Sequence, residues 1–163
     1  VHHLLAEVGV TTVFVTHDQD EAFVLGDEVA VMSEGEIVQQ AAPAELYDAP
    51  ATPWIAGFVG DANLLTGVAS GGAAMTAVGG VALREASDGE VQVLLRPEHL
   101  ELSGGDAGEV DLVEFYGHDT VYAVRLDDGA ALTVRVAQAP AHTRGDRVAV
   151  SYVGPPAVAF PLA

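Results

Sequence analysis

The hydrophobic pattern at the start of the chain changes from helix-like to strand-like. Apolar side chains in the first eight positions recur at i, i+3, i+4 and i+7, which predicts one helical face that Gly9 ends. Residues 10–16 are β-branched or apolar on both alternating faces, as is typical of a strand buried on both sides in a parallel sheet. A helix, a turn and a buried strand form half of an α/β unit, so this region predicts the end of an α/β domain.

Capping residues, a glycine turn and prolines mark the starts and ends of elements in the next part of the chain. Asp18 or Asp20 can cap a helix, Ser33-Glu34-Gly35 can form the turn of a hairpin, and Pro43 can begin a helix. The predicted elements are a helix over 19–26, strands at 28–32 and 36–40, and short helices over 43–48 and 54–59.

From Asn63 onward, short Val- and Leu-rich runs alternate with Gly, Asp and Pro, which predicts an all-β module. Asp127-Asp128-Gly129 is a hairpin signal, whereas Gly104 to Gly108 indicates a flexible loop. A small barrel or sandwich would leave no strand edge open. The predicted strands are 64–69, 73–77, 80–84, 91–96, 108–116, 119–126, 130–137, 146–152 and 157–160.

The strongly negative charge of the chain argues against two classes of binding partner. The chain of 163 residues has 24 acidic residues against six arginines, no lysine, and a net charge of −18. Nucleic acid and anionic membrane surfaces are therefore not expected as partners, because both require clustered cations. The acidity serves solubility or presents an acidic face to a metal ion or a basic partner. Without cysteine, a signal peptide or a long apolar run, the sequence predicts a soluble, cytoplasmic protein.

His17 is the best candidate for chemistry. It follows the predicted buried strand, where open α/β sheets place their ligands, and an imidazole there can contact a phosphate or a water molecule. The alternative is a histidine that only bonds to the backbone. Asp18, Asp20 and Glu21 do not all project one way, and helix N-termini attract acids, so no metal site is expected. Without lysine, the chain cannot contain a Walker-type phosphate loop.

Several motifs resemble the C-terminal part of ABC importer ATP-binding subunits. The region around His17 is similar to their switch-histidine motif, T-H-D-x-x-E-A after a hydrophobic strand. The later segments resemble the tail of the ATPase domain, its junction with a TOBE domain, and the R-P-E signature of that domain. Asp27-Glu28 and Ala41-Ala42 depart from the usual pattern. The matching segments are Val13-Phe14-Val15-Thr16-His17-Asp18-Gln19-Asp20-Glu21-Ala22, 26–32, 35–39, 43–47, 53–60 with 63–65, and Leu95-Arg96-Pro97-Glu98.

The resemblance implies an α+β, mainly β chain with two domains. Residues 1–60 would be the C-terminal remnant of an α/β nucleotide-binding domain, and 61–163 an OB-like β-barrel TOBE module for regulation and dimerisation. His17 would contact the γ-phosphate, with ATP and Mg²⁺ as cofactors of the full-length protein. Because the resemblance places the Walker motifs upstream, we expect no ATP hydrolysis, bound cofactor or metal in this chain alone. Residues 1–25 are expected to pair with another copy or to rearrange.

The resemblance also implies partners. These are a second ATPase subunit in a homodimer, transmembrane permease subunits and, indirectly, a periplasmic or lipoprotein substrate-binding protein. The protein would lie peripherally on the inner face of the cell membrane. Residues 113–119 resemble ferric-iron importers, which favours iron over polyamines and other cargoes. The alternative is a stand-alone β module that binds a small oxyanion through Arg96, Arg125, Arg135 or backbone amides. A hydrolase or oxidoreductase with His17 as its base has no second motif to support it.

Overall fold

The computed structural model describes residues 10–162, which form two compact units that divide between Ala51 and Thr52. The first unit contains helix α1, an antiparallel hairpin of β1 and β2, and helix α2, close to the predicted positions. The side chain of Asp18 caps α1, and Pro43 begins α2. Their bounds are α1 Gln19–Leu25, β1 Val29–Ser33, β2 Glu36–Ala41 and α2 Pro43–Asp48.

The predicted buried strand over residues 10–16 is wrong for this structure. These residues adopt neither helix nor strand, and Val13 and Val15 are 88% and 89% exposed. A parallel strand needs hydrogen-bonded neighbours and covered faces, and the first unit's described strands, β1 and β2, pair with each other. The helix expected over the first eight residues lies outside the described part of the chain.

In its described residues, the second unit contains helix α3, a short 3₁₀ helix at Pro97–His99 and nine strands in two sheets. One sheet has the strand order β10-β7-β8-β9 and the other β11-β6-β3-β4-β5, and the neighbouring strands in each are antiparallel. The bounds are α3 Pro53–Phe58, β3 Asn63–Ser70, β4 Ala73–Thr76, β5 Gly79–Ala82, β6 Gly89–Leu95, β7 Leu100–Phe115, β8 Thr120–Leu126, β9 Ala131–Val136, β10 Arg147–Tyr152 and β11 Ala159–Pro161.

The two sheets share one hydrophobic core. Inward-facing residues alternate with exposed ones along β3 and β8, as expected for sheets with one covered face. Leu65 and Val91 from one sheet join Tyr122 and Val148 from the other in this core. The packing is that of a small sandwich, one of the two predicted architectures.

The predicted closed barrel is not formed among the described strands. A single parallel bridge between Leu83 and Ala157 joins the residue after β5 to the segment before β11, outside the named strands. The predicted loop over 104–108 is also wrong, because these residues continue strand β7. A Cβ atom at Gly105 would lie 2.5 Å from the Cβ of Ala149 on β10, so glycine permits close approach of two strands there.

The hairpin at Asp127-Asp128-Gly129 is confirmed. It joins β8 to β9, and Gly129 adopts a φ of +92°. The division into compact units reflects packing alone, and the predicted domain division after residue 60 stays a prediction.

Candidate functional site

His17 lies at the exposed start of α1. Its side chain is exposed, and the neighbouring polar groups serve the helix start. Thr16 Oγ1 donates to Glu21 Oε2 at 2.9 Å, and Asp18 Oδ1 accepts from the Glu21 amide at 3.1 Å. The structure therefore explains Asp18 and Glu21 as helix-initiating residues. Among residues 10–162, no three His, Asp or Glu side chains are grouped so as to hold a metal ion.

Arg96 is a buried structural residue. Its side chain is only 4% exposed, and Nη1 donates to the carbonyl oxygens of Ala56 and Asp61 at 2.9 Å and of Gly60 at 3.3 Å. These carbonyls lie in and just beyond α3, where a helix has acceptors without intrahelical partners. A cation there also complements the helix macrodipole. Arg96 is thus occupied by backbone acceptors, which removes it as a candidate for oxyanion binding.

Arg125 is paired across the β7–β8 ladder. Its Nε and Nη2 donate to the two carboxylate oxygens of Asp111 at 3.0 and 2.9 Å. The hydrogen bond to Asp111 is the main cause that raises the pKa of Arg125 above its usual value. This bidentate, exposed pair leaves Arg125 already neutralised on the surface.

Arg135 lies in a shallow cleft of about 230 Å³ together with Tyr116, His118 and Asp119. Its Nη2 is 3.4 Å from Asp61 Oδ2, and its Nε is 3.5 Å from Asp119 Oδ2. The Tyr116 amide donates to the Asp119 carbonyl oxygen at 2.9 Å and closes the turn that carries these side chains. The cleft therefore combines phenol, imidazole and guanidinium groups with one carboxylate, that of Asp119.

Asp119 has one carboxylate oxygen that is buried without a hydrogen bond. His118 Nε2 lies 3.4 Å from this Oδ1, close enough for an ion pair when the imidazole is protonated, but the contact does not have hydrogen-bond geometry. His118 is 85% exposed, so it can move relative to Asp119.

The sequence identified part of this cleft. The sequence marks the stretch 113–119 by its resemblance and Arg135 by its charge, but their spacing does not connect them to each other or to Asp61. They meet because β8 and β9 pair in the register Thr120↔Val136 and Val121↔Arg135, beside the segment that precedes β3. His17 belongs to the first compact unit, whereas Tyr116 and Arg135 belong to the second.

No helix within residues 10–162 is both long enough and apolar enough to cross a membrane.

Comparison with known proteins finds relatives of the second compact unit, called the β unit below, and of the chain as a whole. A TOBE domain family model matches residues 93–160. The chain is 39% identical over 171 residues to a Fe(3+) ions import ATP-binding protein, FbpC 3, of Rhodococcus jostii, covering 99% of this chain and 49% of that protein. It is 37% identical over 167 residues to a spermidine/putrescine import ATP-binding protein, PotA, of Ruegeria pomeroyi, covering 93% of this chain and 46% of the relative.

A second PotA protein, from Mesorhizobium japonicum, is 38% identical over 162 residues, which is 88% of this chain and 44% of the relative. The chain thus spans about half the length of the curated relatives it matches.

Proposed function

The chain belongs to the C-terminal, TOBE-containing region of ABC importer ATP-binding proteins of the ferric-iron and polyamine types, and we propose that it regulates an ATPase that drives substrate uptake. The observation that carries this proposal is the match of nearly the whole chain to import ATP-binding proteins, with the TOBE match within the β unit. In the complete protein, ATP and Mg²⁺ would be the cofactors.

We assign to His17 the contact with the γ-phosphate of ATP. The T-H-D-x-x-E-A pattern supports this role, and phosphoryl transfer depends mainly on positioning and charge stabilisation by such polar groups. The exposed side chain is accessible to a nucleotide held by other segments. Because this chain contains no lysine for a phosphate loop, we propose that it does not hydrolyse ATP by itself.

Ferric iron is the proposed cargo. The Rhodococcus iron-import relative aligns with 99% of this chain, and the stretch 113–119 resembles iron importers. A polyamine is the second candidate, since the spermidine/putrescine relatives are of similar identity. The proposed partners are a second ATP-binding subunit, transmembrane permease subunits and indirectly a substrate-binding protein, with the protein on the cytoplasmic face of the membrane.

The test is transport by the complete importer reconstituted in vesicles. His17→Ala should lower ATP hydrolysis by about 100- to 1000-fold, the loss typical for one charge-stabilising group, while ATP binding is kept. His142→Ala, a histidine of the β unit, is the control and should keep full activity. ATP-dependent uptake of Fe³⁺ but not spermidine would support the iron assignment. Full ATPase activity of His17→Ala would refute the proposed role of this residue. ATP hydrolysis by the present chain alone would contradict the proposal that it is inactive by itself.

A further inference from the structure

The segment of residues 56–63, here called the strap, joins the end of α3 to the start of β3. Arg96 holds its first part through the three carbonyl oxygens described above. Asn63 holds its end, because Nδ2 donates to Thr133 O at 2.8 Å and to Leu95 O at 3.2 Å, while the Thr133 amide donates to Oδ1 at 2.7 Å. The strap is therefore bonded to β6 on one side and to edge strand β9 on the other.

Arg135 adds a third and weaker attachment to the strap. Its guanidinium lies between Asp61, within the strap, and Asp119, in the cleft, at 3.4 and 3.5 Å. Both distances are long for charge-assisted hydrogen bonds. Arg135 and Asp61 are also 45% and 65% exposed, so this attachment is easily altered. One cation is thus shared by a cleft residue and a strap residue.

We propose that the cleft formed by Tyr116, His118, Asp119 and Arg135 controls the end of α3 through the shared guanidinium of Arg135. Asp119 and Asp61 compete for this cation. A change that stops Asp119 from binding Arg135 shortens the Arg135–Asp61 contact and tightens the strap. A change that removes Arg135 or the charge of Asp61 loosens it.

The coupling has a physical route through contiguous contacts. Asp61 offers its side chain to Arg135 and its backbone carbonyl to Arg96, and Arg96 also binds the Ala56 carbonyl inside α3. A displacement of Asp61 is therefore transmitted to the C-terminal turn of α3. The whole route lies within the second compact unit.

The chain offers two direct reporters of α3. Trp54 is the single tryptophan of the sequence, and it stacks on Phe58 at a centroid distance of 5.1 Å. The Val59 amide donates to Ile55 O at 2.9 Å, so its hydrogen exchange reports opening of the last helical turn. Both can be measured on the present chain.

The experiment compares Val59 amide exchange and Trp54 emission in variants of this chain. Asp119→Asn should slow Val59 exchange, and Asp61→Asn should accelerate it, each by roughly two- to fivefold, the range that one exposed ion pair supports. Arg135→Met should accelerate exchange and abolish the effect of Asp119→Asn in the double variant. Trp54 emission should shift in opposite directions for Asp119→Asn and Asp61→Asn.

Asp111→Asn is the matched control, because it removes a carboxylate from an exposed Arg pair on the same sheet that does not include the strap. Asp111→Asn should leave Val59 amide exchange and Trp54 emission unchanged. The proposal is overturned if Asp119→Asn has no effect, if it acts in the same direction as Asp61→Asn, or if its effect persists without Arg135. Circular dichroism checks that each variant folds. If Asp119→Asn does not fold, the two single variants Asp61→Asn and Arg135→Met test the proposal, and each must accelerate Val59 amide exchange.

Discussion

Replacing Arg96 by methionine tests a buried side chain that binds three backbone carbonyl oxygens of the second unit. Methionine keeps the length and apolar stem of the side chain, so it removes mainly the hydrogen bonds. Two of the three carbonyl contacts are 2.9 Å long, and the third, at 3.3 Å, adds less. At about 1.5 kcal/mol for each short bond from a charged donor, the variant should lose about 3 kcal/mol of unfolding free energy.

The assay is urea unfolding followed by the emission of Trp54, which reports on the unit that contains Arg96. With an m-value of about 1–3 kcal/mol/M, the midpoint should fall by about 1–3 M. Arg96→Lys keeps the charge but not the planar fork, so it should recover only part of the loss. Arg125→Met, which removes an exposed arginine, is the control and should leave the midpoint nearly unchanged. Equal midpoints for Arg96→Met and Arg125→Met would refute the structural role of Arg96.

Two further predictions concern strand β7 and the acidic surface. Gly105→Ala should lower the melting temperature because its Cβ would lie 2.5 Å from that of Ala149, whereas Gly104→Ala meets no atom within 4 Å; equal melting temperatures would contradict the close approach. The hydrogen bond from Arg147 is the main cause that lowers the pKa of Asp127, so this pair stabilises the fold above about pH 4 and the contribution is lost as pH falls below it. Arg147→Met should raise the Asp127 titration midpoint measured by NMR, and an unchanged midpoint would show that the pair does not form in solution.

The cleft changes the interpretation of the arginines as oxyanion ligands. Sequence reasoning treated Arg96, Arg125 and Arg135 as equivalent candidates, because each is a cation in an otherwise acidic chain. The structure separates them by their acceptors: backbone carbonyls for Arg96, one bidentate carboxylate for Arg125, and two long carboxylate contacts for Arg135. Arg135 lies in a cleft with Tyr116 and His118, so it is the arginine to test for ligand binding.

Local chemistry in the sequence determined the caps and turns. The Asp18 cap, the Pro43 helix start and the Asp127-Asp128-Gly129 hairpin agree with the structure because each depends on only a few neighbouring residues.

Long-range packing decided the remaining features. Residues 10–16 have strand-like composition, but a strand forms only where hydrogen-bonding neighbours and covered faces are present. Gly104 and Gly105 have loop-like composition, yet both lie in strand β7, and β10 approaches too closely for a Cβ atom at Gly105. The contacts of Arg96 with α3 and of Arg135 with Asp61 and Asp119 join residues distant in sequence, so only the tertiary structure could bring them together.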